Sequence, residues 1–91
     1  MDDIFQDIAR EREQQEERWG EQNHHGTKWL AILVEEVSEV AVCVNEIEPA
    51  IFTEKAGLKN YNELREELIQ VAAVCIAWLE YLRRRKAGDV E

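Results

Sequence analysis

Glutamates at 35, 36 and 39, and a second block of Glu67 with Gln70 three residues on, are the side chains whose type and spacing could do chemistry. Both blocks interrupt apolar sequence. At about 100° per residue, one stripe gathers Trp29, Ile32, Leu33, Val37, Val40, Cys43, Val44 and Ile47. Glu36 falls inside that stripe, Glu39 lies at its edge, and Glu35 sits further round. A second stripe holds Leu64, Leu68, Val71, Val74, Cys75, Trp78, Leu79 and Leu82, with Glu67 among them and Gln70 at the edge. Burying an ionised carboxylate costs several kcal/mol or more unless it is paired, protonated or bound to a metal. If the two segments pack antiparallel, three carboxylates and one amide oxygen face each other. Such a set raises a pKa or recruits a hard divalent cation, with Mg2+ the default. Ion pairs to Arg12, Arg65 or an arginine of a second subunit explain the same glutamates equally well, and the spacing leaves both open.

The elements that must position these groups are helical. Val and Ile recur at helical spacing and no strand alternation is present. The pattern predicts four helical segments. The first spans about residues 3–18, with Ile4, Phe5 and Ile8 on one face that continues as Arg12, Gln15 and Trp19. A face that turns from apolar to polar overhangs solvent or lines a polar cavity. Residues 20–26, including Asn23, His24 and His25, read as a loop. Thr27 is placed to cap a second helix that stops before Pro49. A short piece over 50–56 ends at Gly57. Asn60 and Glu63 resemble a capping box opening a helix over 61–86, and Arg83 to Lys86 suit the negative end of its dipole.

The composition narrows the function. With 91 residues the chain reads as one domain, 1–91, and its private core is modest. Apolar residues make up 45% and include three tryptophans, more than a small monomer hides, so a homo-oligomer is expected. The net charge of −9 argues against nucleic-acid or anionic-membrane binding, though a metal-neutralised nucleotide is compatible with it. No apolar run approaches the length of a bilayer span, and Met-Asp-Asp does not open a signal peptide, so a cytoplasmic place is expected. Cys43 and Cys75 lie too far apart for a CxxC-type motif and read as buried free thiols.

The order of these blocks resembles a known family. Glu35-Glu36-Val37-Ser38-Glu39, followed after 27 residues by Glu67-Leu68-Ile69-Gln70, is similar to the EExxE…ExxD signature of the MazG-like all-alpha nucleotide pyrophosphohydrolases. Arg18-Trp19-Gly20-Glu21-Gln22-Asn23-His24 and Trp29-Leu30-Ala31-Ile32-Leu33 resemble the segment that precedes the motif in small, single-domain members. The resemblance implies a helical bundle assembled as a homodimer or homotetramer. It also implies Mg2+-dependent cleavage of a nucleoside triphosphate between the α- and β-phosphates, giving monophosphate and pyrophosphate. By position Glu36, Glu39 and Glu67 match metal ligands, and Glu35 matches the adjacent glutamate that holds a second ion or positions water. Gln70 stands where the pattern has aspartate, which leaves an oxygen ligand without its charge.

Trp19 and Trp29 could stack on a base, with Gln15, Gln22 or Asn23 reading its edge. Lys55 and Lys59 could approach phosphates, and His24 and His25 are weaker metal-ligand candidates. Three functions stay open on these residues. They are a pyrophosphohydrolase, a module that holds nucleotide and metal without turnover, and a structural helical oligomer whose glutamates sit in ion pairs.

Overall fold

The computed structural model describes the backbone of residues 2–51 and 58–89, with side chains for 2–47 and 61–89. Among these residues the chain is all helical: α1 (Asp2–Trp19), α2 (Gly26–Ile51) and α3 (Leu58–Lys86). Three helices stand where the pattern predicted four. Ala50 and Ile51 of the expected short piece belong to the end of α2, and residues 52–57 lie outside the described residues.

Local signals account for most of the boundaries. Asp2 and Asp3 in the first turn of α1 and Arg18 in its last complement the helix dipole. Gly20 ends α1 at φ 71°, a left-handed conformation that glycine enters without a Cβ clash, and its N–H bonds Glu16 O at 2.7 Å. The His25 carbonyl accepts the N–H groups of Lys28 and Trp29 at 3.0 and 3.1 Å, so His25 opens α2 and Thr27 sits in its first turn rather than capping it. The helix also continues past Pro49 to Ile51. A proline so near a C-terminus forfeits one backbone N–H, a loss that ends few other bonds. The last long helix begins at Leu58, which puts Asn60 inside it rather than at its cap. Its far end closes with Asp89 N–H on Arg84 O at 2.9 Å and Gly88 N–H on Arg85 O at 3.1 Å, with Gly88 at φ 82°.

The third helix is the centre of the fold. It packs against both others, while no Cα of α1 comes within 8 Å of one of α2. Trp29 meets Trp78 and Tyr81 near one end of α3, and Glu39 meets Glu67 towards the other, so α2 runs antiparallel to it. Asp7 pairs with Arg65 at 2.7 Å and Arg12 with Glu80 at 2.9 Å, so α1 runs parallel. An open cleft remains between α1 and α2, floored by α3.

Trp29 anchors the core. Only 1% of it is exposed, and its ring stacks on Trp78 at 6.2 Å and 9°, with Tyr81 at 6.1 Å and His24 edge-on at 5.0 Å. Burying an indole of about 200 Å² is worth about 5 kcal/mol before entropy. Its N–H is buried without a hydrogen-bond partner, which costs about 1–3 kcal/mol that the packing outweighs. Ala73 and Ala77 are also buried, and small side chains there let the ring lie close to α3.

The interior of α3 differs from the expected stripe. Ala73, Val74, Ala77 and Tyr81 point inward, whereas Leu68, Leu79 and Leu82 are 50, 63 and 47% exposed. Val37 of α2 is likewise 48% exposed. Packing on two helices at once turns the small residues of α3 inward and leaves its leucines on a separate face.

Candidate functional site

Lys28, Ile32, Glu35 and Glu39 recur at steps of four, three and four along α2, and Glu36 borders the same face. Glu11, Gln15, Arg18 and Gln22 follow the same rhythm along α1 and the loop after it. These two faces form the walls of a cleft of about 500 Å³, with Gln70 and Val74 of α3 on its floor. The polar continuation of the α1 face therefore lines a cavity. Gln15, at 8% exposure, is the buried polar residue of the described chain.

Glu36 and Glu39 line this cleft, and together with Glu67 of α3, which does not line it, each offers a carboxylate oxygen within 4.8 Å of the others. Glu36 and Glu67 are half-buried and Glu39 is exposed. One oxygen of Glu36 and one of Glu67 is buried without a hydrogen-bond partner. Burial raises the Glu36 carboxyl above its ordinary 4.5, and the charges of Glu39, Glu35 and Glu11 raise it further. Glu67 is pushed up to about 7, first by burial, then by a hydrogen bond shared with Glu39 and by the charges of Glu39, Glu36 and Glu66. Two carboxyls can share such a bond only with a proton between them, the form that burial and the neighbouring charges favour.

Arg12 and Arg65, two of the arginines that could have neutralised these glutamates, are engaged elsewhere in the chain. Arg12 bonds Glu80, Gln15 and Glu16 at 3.0–3.1 Å. Arg65 bonds Asp7 at 2.7 Å. Neither reaches Glu36 or Glu67, so these ion pairs do not explain the buried carboxylates. Three oxygens of the hard class within 4.8 Å of one another are a set that could hold a hard cation.

The other expected residues divide. Glu35, Gln70, Gln15, Trp19, Gln22 and His24 all line the cleft, with Trp19 55% exposed and the Arg18 guanidinium 4.8 Å over its ring. Trp29 is in the core and its faces are covered, which leaves it no surface for a base. Lys55 and the side chain of Lys59 lie outside the described residues. Two cations also line the cleft: Arg18, quoted above only within the segment before the motif, and Lys28, which was not singled out from the sequence. The helical period of Lys28 with Ile32, Glu35 and Glu39 was the signal that could have found it. Cys43 is half-buried near the cluster, and burial with the charges of Glu67, Glu46, Glu63 and Glu39 raises its thiol, keeping it neutral and a poor ligand.

Arg84 has a role beyond the helix dipole. Its Nη2 donates to Gln22 O at 3.0 Å and to Asn23 Oδ1 at 3.1 Å, while Nε lies 3.5 Å from Glu21, too far for a hydrogen bond. The loop after α1 is thereby tied to α3, which keeps Gln22 at the cleft.

The candidate site is thus acidic at the trio end and carries Arg18, Lys28 and an exposed tryptophan along the rest. No protein-family model, curated protein or solved structure matches the chain.

Proposed function

We propose that this chain is a Mg2+-dependent nucleoside triphosphate pyrophosphohydrolase that yields a nucleoside monophosphate and pyrophosphate. One observation carries the reading: two half-buried carboxylates with unpartnered oxygens converge with a third beside an open cleft. The resemblance of the Glu35–Glu39 and Glu67–Gln70 blocks to the MazG-like signature supports the same chemistry.

Glu36, Glu39 and Glu67 are the residues that would hold the ion, with Gln70 beside them on the cleft floor. A magnesium ion held there would supply neutralisation of phosphate oxygens and would make a nearby water more acidic. Arg18 and Lys28 offset the remaining phosphate charge. Glu35 lines the cleft outside the trio, where it takes the proton of the attacking water. The water oxygen then bonds to phosphorus, the bridging P–O bond breaks, and pyrophosphate leaves with the bridging oxygen. Trp19 offers an exposed ring for the base.

Self-association belongs to the same proposal. Leu30, Val34 and Val37 of α2 and Leu68, Leu79 and Leu82 of α3 are each about half exposed, and a groove lined by Leu33, Cys75, Trp78, Leu79 and Leu82 lies between the helices. Apolar surface on this scale marks a contact face. No described helix is long and apolar enough to cross a membrane, and a cytoplasmic place fits the proposed substrate. Gln70 favours one second reading, a module that binds metal and nucleotide without turnover, because it lacks the charge of the aspartate in the family pattern.

Pyrophosphate release from a panel of nucleoside triphosphates, with Mg2+ and with chelator, tests the reading. Release that needs Mg2+ and is lost in Glu36→Gln is expected. Melting that rises with Mg2+ and nucleotide but without release supports the binding module, and no response to either removes both.

A further inference from the structure

Gln15 is more than nine-tenths buried, lines the cleft, and has one of its two amide ends committed. Arg12 Nη1 donates to Gln15 Oε1 at 3.1 Å. A guanidinium has donors and no acceptor, so the atom it touches must be the amide oxygen. Arg12 is itself held, with Nε on Glu80 at 3.0 Å and Nη2 on Glu16 at 3.0 Å, and its side chain is only 16% exposed. Rotating the amide would set its N–H2 against the guanidinium. With Oε1 taken by Arg12, the amide end left for a ligand is the N–H2.

The position along α1 says what part of a ligand meets it. Glu11, Gln15 and Trp19 are four residues apart on one face, about 6 Å per step. The charge of Glu11 acts on Glu36, at the carboxylate end. Gln15 is therefore one turn further from the trio and Trp19 two turns. A nucleotide with its phosphates at the trio carries its base to Gln15 and Trp19.

We infer that Arg12 locks Gln15 as a donor-only reader of the base edge, so that the cleft prefers bases bearing a carbonyl oxygen there over bases bearing an amino group. This rests on the nucleotide reading proposed above. Gln15 is the specificity-determining residue, and Arg12 is a positioning residue that acts through it. An amino group there sets donor against donor, and the mostly buried Gln15 loses the acceptor that a carbonyl offers to its N–H2.

Two substrate pairs exchange this carbonyl for an amino group, which also turns the neighbouring ring N–H into an acceptor: inosine against adenosine triphosphate, and uridine against cytidine triphosphate. Pyrophosphate release with Mg2+ should give the carbonyl member of each pair a kcat/KM at least about tenfold higher. Gln15→Ala should bring both ratios to about one, and Gln15→Glu, which presents only acceptors, should invert them. Arg12→Met should lower the ratios by freeing the amide, while Arg12→Lys retains a donor and part of the preference. A ratio within one enzyme does not change with the fraction folded, so a destabilised variant still reports. Turnover of all four substrates without preference, with the opposite preference, or with a preference that survives Gln15→Ala overturns the inference and leaves the pyrophosphohydrolase reading intact. Absence of turnover for all four removes that reading, and the inference with it.

Discussion

Glu67→Gln replaces a carboxyl by an amide of the same shape and so imitates Glu67 with its proton on. In the folded protein Glu67 is pushed up to about 7, against an ordinary 4.5. Between these values the folded chain keeps a proton that the unfolded chain gives up. Stability of the metal-free protein therefore falls as pH rises through that window, and the loss is complete above it. The full interval is worth at most about 3 kcal/mol, at about 1.4 kcal/mol per tenfold. Because the cluster opens onto the cleft, solvent screening reduces this to about 1–2 kcal/mol. For a domain of this size that is a melting shift of about 5–15 °C.

The assay is thermal melting in chelator across about pH 5 to 8, at fixed protein concentration, for parent and variant. The two should melt together at the acid end, and the variant should melt higher at the alkaline end. Adding Mg2+ at the alkaline end should raise the parent and leave the variant little changed, since a ligand that binds only the folded state stabilises it and the variant has lost a charged ligand. A variant that melts below the parent at alkaline pH would mean that Glu67 makes a net favourable ion pair. A pH dependence unchanged by the substitution would assign the titration to another group. Either result refutes the reasoning.

Gln70→Asp adds a hard anionic ligand on a shorter side chain at the cleft floor, and calorimetric titration should show tighter Mg2+ binding; unchanged affinity in a folded protein removes Gln70 from the site. Leu79→Glu places a charge on the most exposed apolar side chain of α3, and light scattering should find the parent larger than one 10.7 kDa chain and the variant shifted towards it. A parent that is monomeric at micromolar concentration ends the oligomer proposal. Trp29→Ala empties the centre of the core and should lower the unfolding free energy by about 3–5 kcal/mol in denaturant titration, whereas a change below about 1 kcal/mol would show that the aromatic stack does not anchor α2 to α3.

What the sequence determined by itself follows from period and charge. Helical spacing of apolar residues specifies α1, α2 and α3, because each helix must bury a stripe. The same arithmetic put Glu36 and Glu67 on apolar faces, where an unneutralised carboxylate demands an explanation. Those are local quantities, and a one-dimensional pattern carries them. Tertiary structure decided which apolar residues are core. Trp29 and the leucines of α3 have similar standing in the pattern, yet Trp29 is enclosed and Leu68, Leu79 and Leu82 are not. The difference arises because α3 touches two helices, and close approach selects Ala73 and Ala77 over larger neighbours. Only the packed chain also decides the partners of the arginines. Arg12 was an equal candidate for Glu36 until the parallel run of α1 along α3 put it beside Glu80 and Gln15. Its capture there keeps it from Glu36, and that pairing depends on helix direction and register, which a short helical period does not encode.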